Sequence, residues 1–503
     1  MNNYDVIIIG SGLGGLVCGA ILSKHGYKVC IYEKNKQMGG CLQTYARDKV
    51  IFDSGVHYIG GLAPGQNLYE VFDYLGIMRH LKIRQMDEDG FDRITFGDSN
   101  KEFKIAQGYD NFIRQLLVEF PEERTALHNY CSKVREVCAK FPLYNLRVGD
   151  GQEKESVMGL NTKEVIASIT DNERLRQVLA GNNLLYAGVA DKTPFYIHAL
   201  VLNSYIESAW KCVDGGSQIA KWLGRCIMDN GGVIRRHAEV KRIVDTGGNI
   251  SHVQLGDGQI ARATHFISNL HPAQTMAITE SDLIRNAYRA RVSSLENGIG
   301  PFVLNVVLKP QSFPYLNYNV YHHESSDAWA GIDYTTDDWP QTFAVMAAAG
   351  SKEPAFAESL AIMTYMRYGE LDKWKNTFNT VSHETDRGPD YEAFKEEKAN
   401  RLLDRVEKRF PGLRNCIHSY YAATPLSYRD YLGTTDGSMY GVLKDYKDPL
   451  RTRISPRTRV PNLYLTGQNL NLHGILGVTM SAVMTCGEFI GLEKLVDAIR
   501  NRS

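Results

Sequence analysis

The chain has no excess of charge of either sign: its 503 residues carry 57 Lys and Arg against 57 Asp and Glu. It also has no run of five or more like charges. Such a chain offers no broad field to draw in a polyanion, so nucleic acid is not an expected partner. Cysteine is sparse too. Nine are scattered from Cys18 to Cys486, and no C-x-x-C occurs. An odd count at irregular spacing argues against a disulfide framework, a zinc ribbon or a dithiol redox centre. Thiols in a reducing compartment fit, and a cytoplasmic location is the expectation. No basic and apolar leader of the secretory kind opens the chain. No long apolar run is present either. Val460 to Gly487 is free of formal charge, but Pro461, Gln468, Asn469, Asn471, Gly474 and Gly477 interrupt it, and a bilayer helix needs ~20 predominantly apolar residues in a row. The reading is a soluble chain, with peripheral membrane contact left open. Internal repeats and low-complexity tracts are absent.

What is there is the composition of an ordinary globular protein, 43% apolar and 23% charged, long enough for two or three domains. Val6-Ile7-Ile8-Ile9 reads as a strand buried on both faces. It runs into G-x-G-x-x-G at Gly10, Gly12 and Gly15. A helical pattern follows, with Leu13, Leu16, Val17, Ala20 and Ile21 on one side, and then a second strand, Val29 to Tyr32, closing on Glu33. Gly10 permits the tight turn, Gly12 lets the backbone approach a pyrophosphate, and Gly15 lets the helix sit close to the sheet. The helix start presents free N–H groups to phosphates. Glu33 stands where an acid accepts hydrogen bonds from the adenosine ribose. Strand, turn, helix and acid together predict a dinucleotide site, without choosing between FAD and NAD.

Three further segments favour the flavin. Met38-Gly39-Gly40-Cys41 follows the ribose acid, where a flexible double glycine can run along the phosphates. Asp214-Gly215-Gly216-Ser217 opens a helix that leads to strands at Val233-Ile234 and Val240 to Ile243. Val240 is the candidate for a backbone contact to the adenine, against the plainer reading of an αβ unit of the core. Asn462 to Gln468 reads as a strand ending at Gly467, followed by a loop and a helix from about Gly477. The N-terminus of that helix, at Gly477 and Val478, can stabilise negative charge on a reduced flavin ring, and it also serves as a core helix. No second G-x-G-x-x-G follows a strand, so electrons are expected to come from or go to a diffusible partner.

The segments Gly39-Gly40-Cys41, Phe52-Asp53-Ser54-Gly55-Val56-His57-Tyr58-Ile59-Gly60 and Tyr464-Leu465-Thr466-Gly467-Gln468 resemble the flavin-dependent phytoene desaturase and carotenoid isomerase superfamily. Within it they look most like the retinol saturases, the all-trans-retinol 13,14-reductases. The resemblance runs the length of the chain. It implies an α/β protein: a Rossmann-type FAD/NAD(P)-binding domain of the glutathione reductase and amine oxidase kind, assembled from residues 1–75, 206–272 and 421–503. An α+β substrate domain is inserted as 76–205, mostly helical, and 273–420. Non-covalent FAD and a lipophilic, conjugated small-molecule substrate are implied with it. The cofactor set becomes Gly10, Gly12, Leu13, Gly14, Gly15, Glu33, Lys34, Gly39, Gly40, Cys41, Val240, Gly467, Gln468, Gly477 and Val478. Gln468 departs from the pattern, since many relatives carry an acid there. The animal saturases also carry a targeting segment that is not seen here, so their organelle location is not carried over.

Elsewhere, apolar spacing predicts helices over Phe112 to Phe120, Arg124 to Phe141, Thr162 to Leu179 and Tyr391 to Phe410, and a strand over Phe302 to Leu308. The 28 tyrosines are read mainly as core. His322 and His323 are adjacent on a strand and point to opposite faces, so no metal is expected. His57, Tyr58 and His473 are the candidate catalytic residues. Either histidine could protonate a carbon while a flavin delivers hydride to its neighbour. The expected reaction is saturation or desaturation of a C=C bond. The alternatives are redox-neutral cis–trans isomerisation of a polyene by reduced FAD and, in another class, non-catalytic carriage of a prenyl lipid.

Overall fold

The computed structural model describes residues 4–351, 355–380 and 387–501. Its organising element is a five-stranded parallel sheet in the order Val233–Arg235, Val29–Tyr32, Tyr4–Ile9, Ala263–Ser268 and Leu463–Leu465. The inner strands read as continuous branched apolar runs because both faces are covered; Val6, Ile7 and Ile8 are fully buried. Helix Leu13–Lys24 lies on one face, packed against Ser217–Asp229 and Gly474–Ile490. The sheet therefore draws its strands from three stretches far apart in the chain.

A seven-stranded sheet faces the cavity from the other side. Its order is Ile417–Ala423, Gly300–Leu308, Ser359–Met366, Thr342–Ala347, Asn319–His323, Asp92–Phe96 and Phe103–Ile105. Every pairing is antiparallel except Asn319–His323 with Asp92–Phe96. Helix Tyr109–Glu119 packs on its Phe103–Ile105 strand, and helices Arg124–Ala139 and Phe195–Glu207 pack on each other and on that helix.

Helix Tyr391 to Phe410 is found as Pro389–Arg409, and the strand at Phe302 as Gly300–Leu308. The single helix expected over Thr162 to Leu179 is two, Thr162–Ile169 and Glu173–Leu179. Local polar bonding breaks it: Thr170 Oγ1 accepts the Asn172 N–H at 3.0 Å, and Asn172 Oδ1 accepts the Leu175 N–H at 3.1 Å, starting a new helix. The mostly helical stretch before residue 205 also supplies strands Asp92–Phe96 and Phe103–Ile105 to the large sheet. Val233 and Val240, read as one pair of short strands, join different sheets. Val240–Thr246 opens an antiparallel sheet with Asn249–Leu255 and Ile260–Ala261.

Candidate active site

The first turn after Tyr4–Ile9 is built from main chain alone. Gly10 has φ of +91°, a conformation that side chains oppose. A Cβ on Gly15 would lie 2.1 Å from the Gly10 carbonyl oxygen, so only glycine lets the helix begin where it does. The Gly39-Gly40 loop is laid directly on this turn. Gly39 N donates to Ser11 O at 2.9 Å, and a Cβ on Gly40 would meet Gly12 Cα at 3.1 Å. Helix Leu13–Lys24 has Gly12 at its N-cap and no side-chain cap. Its first N–H groups are therefore open to a ligand.

Glu33 closes the second strand and is buried. Ser11 N and Ser11 Oγ donate to its Oε2 at 3.0 and 2.6 Å, and Asn35 N donates to Oε1 at 2.8 Å. The carboxylate is thus aimed by three donors. Lys34 is turned away, donating to the Asp430 carbonyl at 2.8 Å. Burial holds its ammonium below the ordinary range.

One cavity of about 270 Å³ runs from this cradle to an apolar wall. Gly10, Gly12, Leu13, Gly14, Glu33, Lys34, Gly39, Gly40, Cys41, Val240, Gly467, Gln468 and Val478 all line it, as do His57 and Tyr58. Gly15 acts from beneath, through packing. Gly477 borders a neighbouring pocket beside Met480, and His473 caps the start of helix Gly474–Ile490. The far wall comes from the large sheet, neighbouring helices and one loop: Tyr321, Met346 and Met363, Tyr205 and Tyr428, and Tyr440.

Burial sets the charges here. His57 is held down at about 4 by desolvation and by Lys211. His473, stacked 4.2 Å from the Tyr440 ring with Nε2 3.3 Å from Leu185 O, is also held down at about 4 by burial. Both imidazoles are neutral at neutral pH and hold no acidic proton to give. His322 and His323 go to separate partners, Thr95 Oγ1 at 2.9 Å and Gly181 O at 2.7 Å.

Residues 8–75 match the family model of the NAD(P)-binding Rossmann-like domain. Over nearly its whole length the chain is similar to the all-trans-retinol 13,14-reductase of Danio rerio, at 25% identity over 97% of this chain and 86% of that protein. The prolycopene isomerase of Daucus carota is 24% identical over 96% of this chain and 79% of that one. Among solved structures, an oxidoreductase from Methanosarcina mazei shares the fold, with a TM-score of 0.63 at 17% identity, covering 95% of this chain and 98% of that one. The homologues are retinol reductases and prolycopene isomerases.

The Rossmann likeness covers the segment that carries the glycine turn, Glu33 and the Gly39-Gly40 loop. Sequence reasoning missed Asn269. It follows strand Ala263–Ser268, and its amide fills the space over three glycines: Cβ atoms on Gly12, Gly14 and Gly467 would lie 2.5 to 2.9 Å from it. That amide has no hydrogen-bond partner among the described residues and faces the cavity. The only available signal was its place, directly after a strand of the same sheet. Open helix N–H groups, an aimed carboxylate and an uncommitted amide make a donor set that fits a dinucleotide.

Proposed function

We propose that this protein binds FAD non-covalently and acts as an oxidoreductase on C=C or CH–CH bonds of a lipophilic, conjugated substrate of the retinoid or carotenoid kind. The observation that carries this is the single cavity, polar and glycine-lined at one end and walled by tyrosine and methionine at the other. Likeness to all-trans-retinol 13,14-reductase over the whole chain supports the substrate class. Gly10, Gly12 and Gly14 would hold the pyrophosphate, Glu33 the ribose, Val240 the adenine edge, and Gly467, Gln468 and the start of helix Gly474–Ile490 the flavin end. Bound FAD would supply hydride exchange. The protein's own part is to orient the polyene along the apolar wall, exclude water and move a proton.

The domain division proposed is 1–75, 206–272 and 421–503 for the cofactor, with 76–205 and 273–420 for the substrate. The parallel sheet takes its strands from the first set. The seven-stranded sheet takes its strands from the second, except that Ile417–Ala423 runs slightly past residue 420. No helix among the described residues is long and apolar enough to cross a membrane. A diffusible electron donor or acceptor completes the proposal.

A redox-neutral cis–trans isomerase is the second reading, favoured by the likeness to prolycopene isomerase. The visible spectrum of the purified protein before and after anaerobic reduction tests the cofactor: flavin bands that bleach are expected. A colourless protein that refuses added FAD would overturn the reading in favour of lipid carriage. Incubation of reduced protein with all-trans-retinol then separates the two enzymes, since reduction adds two hydrogens and isomerisation leaves the mass unchanged.

A further inference from the structure

Behind the apolar wall lies a line of buried acidic groups. Asp92, the first residue of its strand, is fully buried. Its Oδ2 accepts the Tyr58 hydroxyl at 2.9 Å, and its Oδ1 accepts the Asn319 amide at 2.9 Å. Tyr58 Oη lies 2.7 Å from Tyr321 Oη. Both tyrosines line the cavity, while the carboxyl sits behind them. The line is continuous from buried carboxyl to cavity surface, and three separated segments of chain supply its members.

Resting on the oxidoreductase reading above, we infer that Asp92, Tyr58 and Tyr321 form a proton relay serving the reacting carbon of the polyene. In the saturating direction the double bond gains two hydrogens. One arrives as hydride, with its electron pair, from reduced flavin. The other is the Tyr321 hydroxyl proton, which bonds to the neighbouring carbon through the former π pair. Tyr321 takes the Tyr58 proton, Tyr58 takes the Asp92 carboxyl proton, and Asp92 is left as a carboxylate that recovers a proton from solvent. Each phenol O–H bond broken is replaced by one formed, and the carboxyl proton is the one spent on the new C–H bond, so no phenolate persists. In desaturation every transfer reverses and Asp92 must begin as the carboxylate.

The surroundings fit a shuttle that ends on the carboxyl. Burial and Asp92 drive the Tyr58 and Tyr321 phenols well above their ordinary range, so neither releases a proton unaided. Burial pushes the Asp92 carboxyl up to about 7 against the opposing pull of its hydrogen bonds and of Lys211. That is where an acid–base group works best at neutral pH. The other groups facing the line are few. Asn182 Nδ2 reaches Asp92 at 3.4 Å, Tyr205 and Tyr440 are neutral phenols raised by burial, and Lys211 donates to Leu316 O and Ala347 O at 2.9 Å each.

The test uses FAD-loaded wild type, Asp92→Asn, Tyr58→Phe and Tyr321→Phe. Beside Asp53, whose carboxyl burial also raises to about 7, carboxyl-carbon NMR should show one further aspartate titrating near 7. That resonance should vanish in Asp92→Asn, and in Tyr58→Phe it should move to higher pH, because a donor to the carboxylate is lost. Reoxidation of the pre-reduced protein by all-trans-retinol should slow about 100-fold in Asp92→Asn and Tyr321→Phe and lose its pH dependence. Anaerobic photoreduction of the flavin should not change. Wild-type reoxidation should fall tenfold per pH unit above the carboxyl midpoint. An Asp92 carboxyl that does not titrate near neutrality, or variant rates within about twofold of wild type, overturns the relay. Protein that takes up no flavin overturns the oxidoreductase reading instead. Where retinol does not react, the carboxyl titration decides the relay.

Discussion

On the nucleotide side the cavity is bounded by main chain, Gly10, Gly12, Gly14, Gly39, Gly40 and Gly467, together with the buried acid Glu33. On the facing side it is bounded by large side chains, Tyr58, Tyr205, Tyr321, Met346, Met363 and Tyr440, carried on strands, a helix and loops from separate parts of the chain. A ligand such as FAD has fixed phosphates and ribose hydroxyls, and close approach of backbone N–H groups satisfies them. A polyene presents only apolar surface, which shape and bulk must recognise. The cradle is therefore local and intolerant of any added atom. The wall is distributed and tolerant of exchange among side chains of similar volume.

The largest effect on flavin binding expected from this contrast is at Gly15. Gly15→Val drives a side chain into the Gly10 carbonyl, only 2.1 Å from the Cβ position, and should weaken FAD binding by at least about 100-fold, or some 2.7 kcal/mol. Flavin absorbance titration reads it directly; near-wild-type affinity would remove the cradle from the account.

Next is the seam. Asp430 is fully buried and accepts from Arg387, Arg429 and the Asn379 N–H, while its carbonyl holds Lys34. Asp430→Ala leaves the buried Arg387 guanidinium without its carboxylate, and a loss of roughly 3–5 kcal/mol is expected in thermal or denaturant unfolding. A melting curve that does not move would show that the seam carries no such load.

Acid should act through the buried histidines. His57, His323 and His473 are each held down at about 4 and His198 at about 3 by burial. Their folded values lie below the ordinary 6.5, so the stability they contribute is present above about 6.5 and is lost as pH falls through about 4. Asp53 and Asp92 are both raised to about 7, and their contribution has the opposite sign: it is present below the ordinary carboxylate value and is lost as pH rises through about 7. Melting temperature should fall steeply between pH 6.5 and 4. His198→Gln, which removes one of the buried neutral imidazoles, should flatten that fall.

The smallest effect belongs to the wall. Met363 lies on Ser359–Met366 and lines the cavity. Met363→Leu should cost less than about 1.5 kcal/mol, leave flavin affinity unchanged and shift only the KM for the polyene. A loss of flavin affinity would break the division between cradle and wall.

The cradle was legible because its parts adjoin in sequence and follow from backbone sterics: Val6 to Ile9, Gly10, Gly12, Gly15, Glu33 and the Gly39-Gly40 pair. Tyr58 could be picked out because it follows the flavin-side segment. Its partners could not. Asp92 sits in a stretch read as mostly helical, and Tyr321 is one tyrosine among 28. Asn269 carries no motif of its own. The break at Thr170 to Asn172 was hidden because apolar spacing continues across it, while the side-chain bonds that end the first helix are short-range polar contacts.

The amino-acid sequence by itself determined the first two strands of the parallel sheet, the glycine turn between them and the acid that closes the second. Each follows from the conformations that a few neighbouring residues allow. Only the tertiary structure decided that Asp92, Tyr58 and Tyr321 stand in one line, that Asn269 lies over the glycines, and that two histidines near the cavity are neutral. Hydrogen-bond distance and desolvation depend on residues hundreds of positions apart, and no local pattern encodes them.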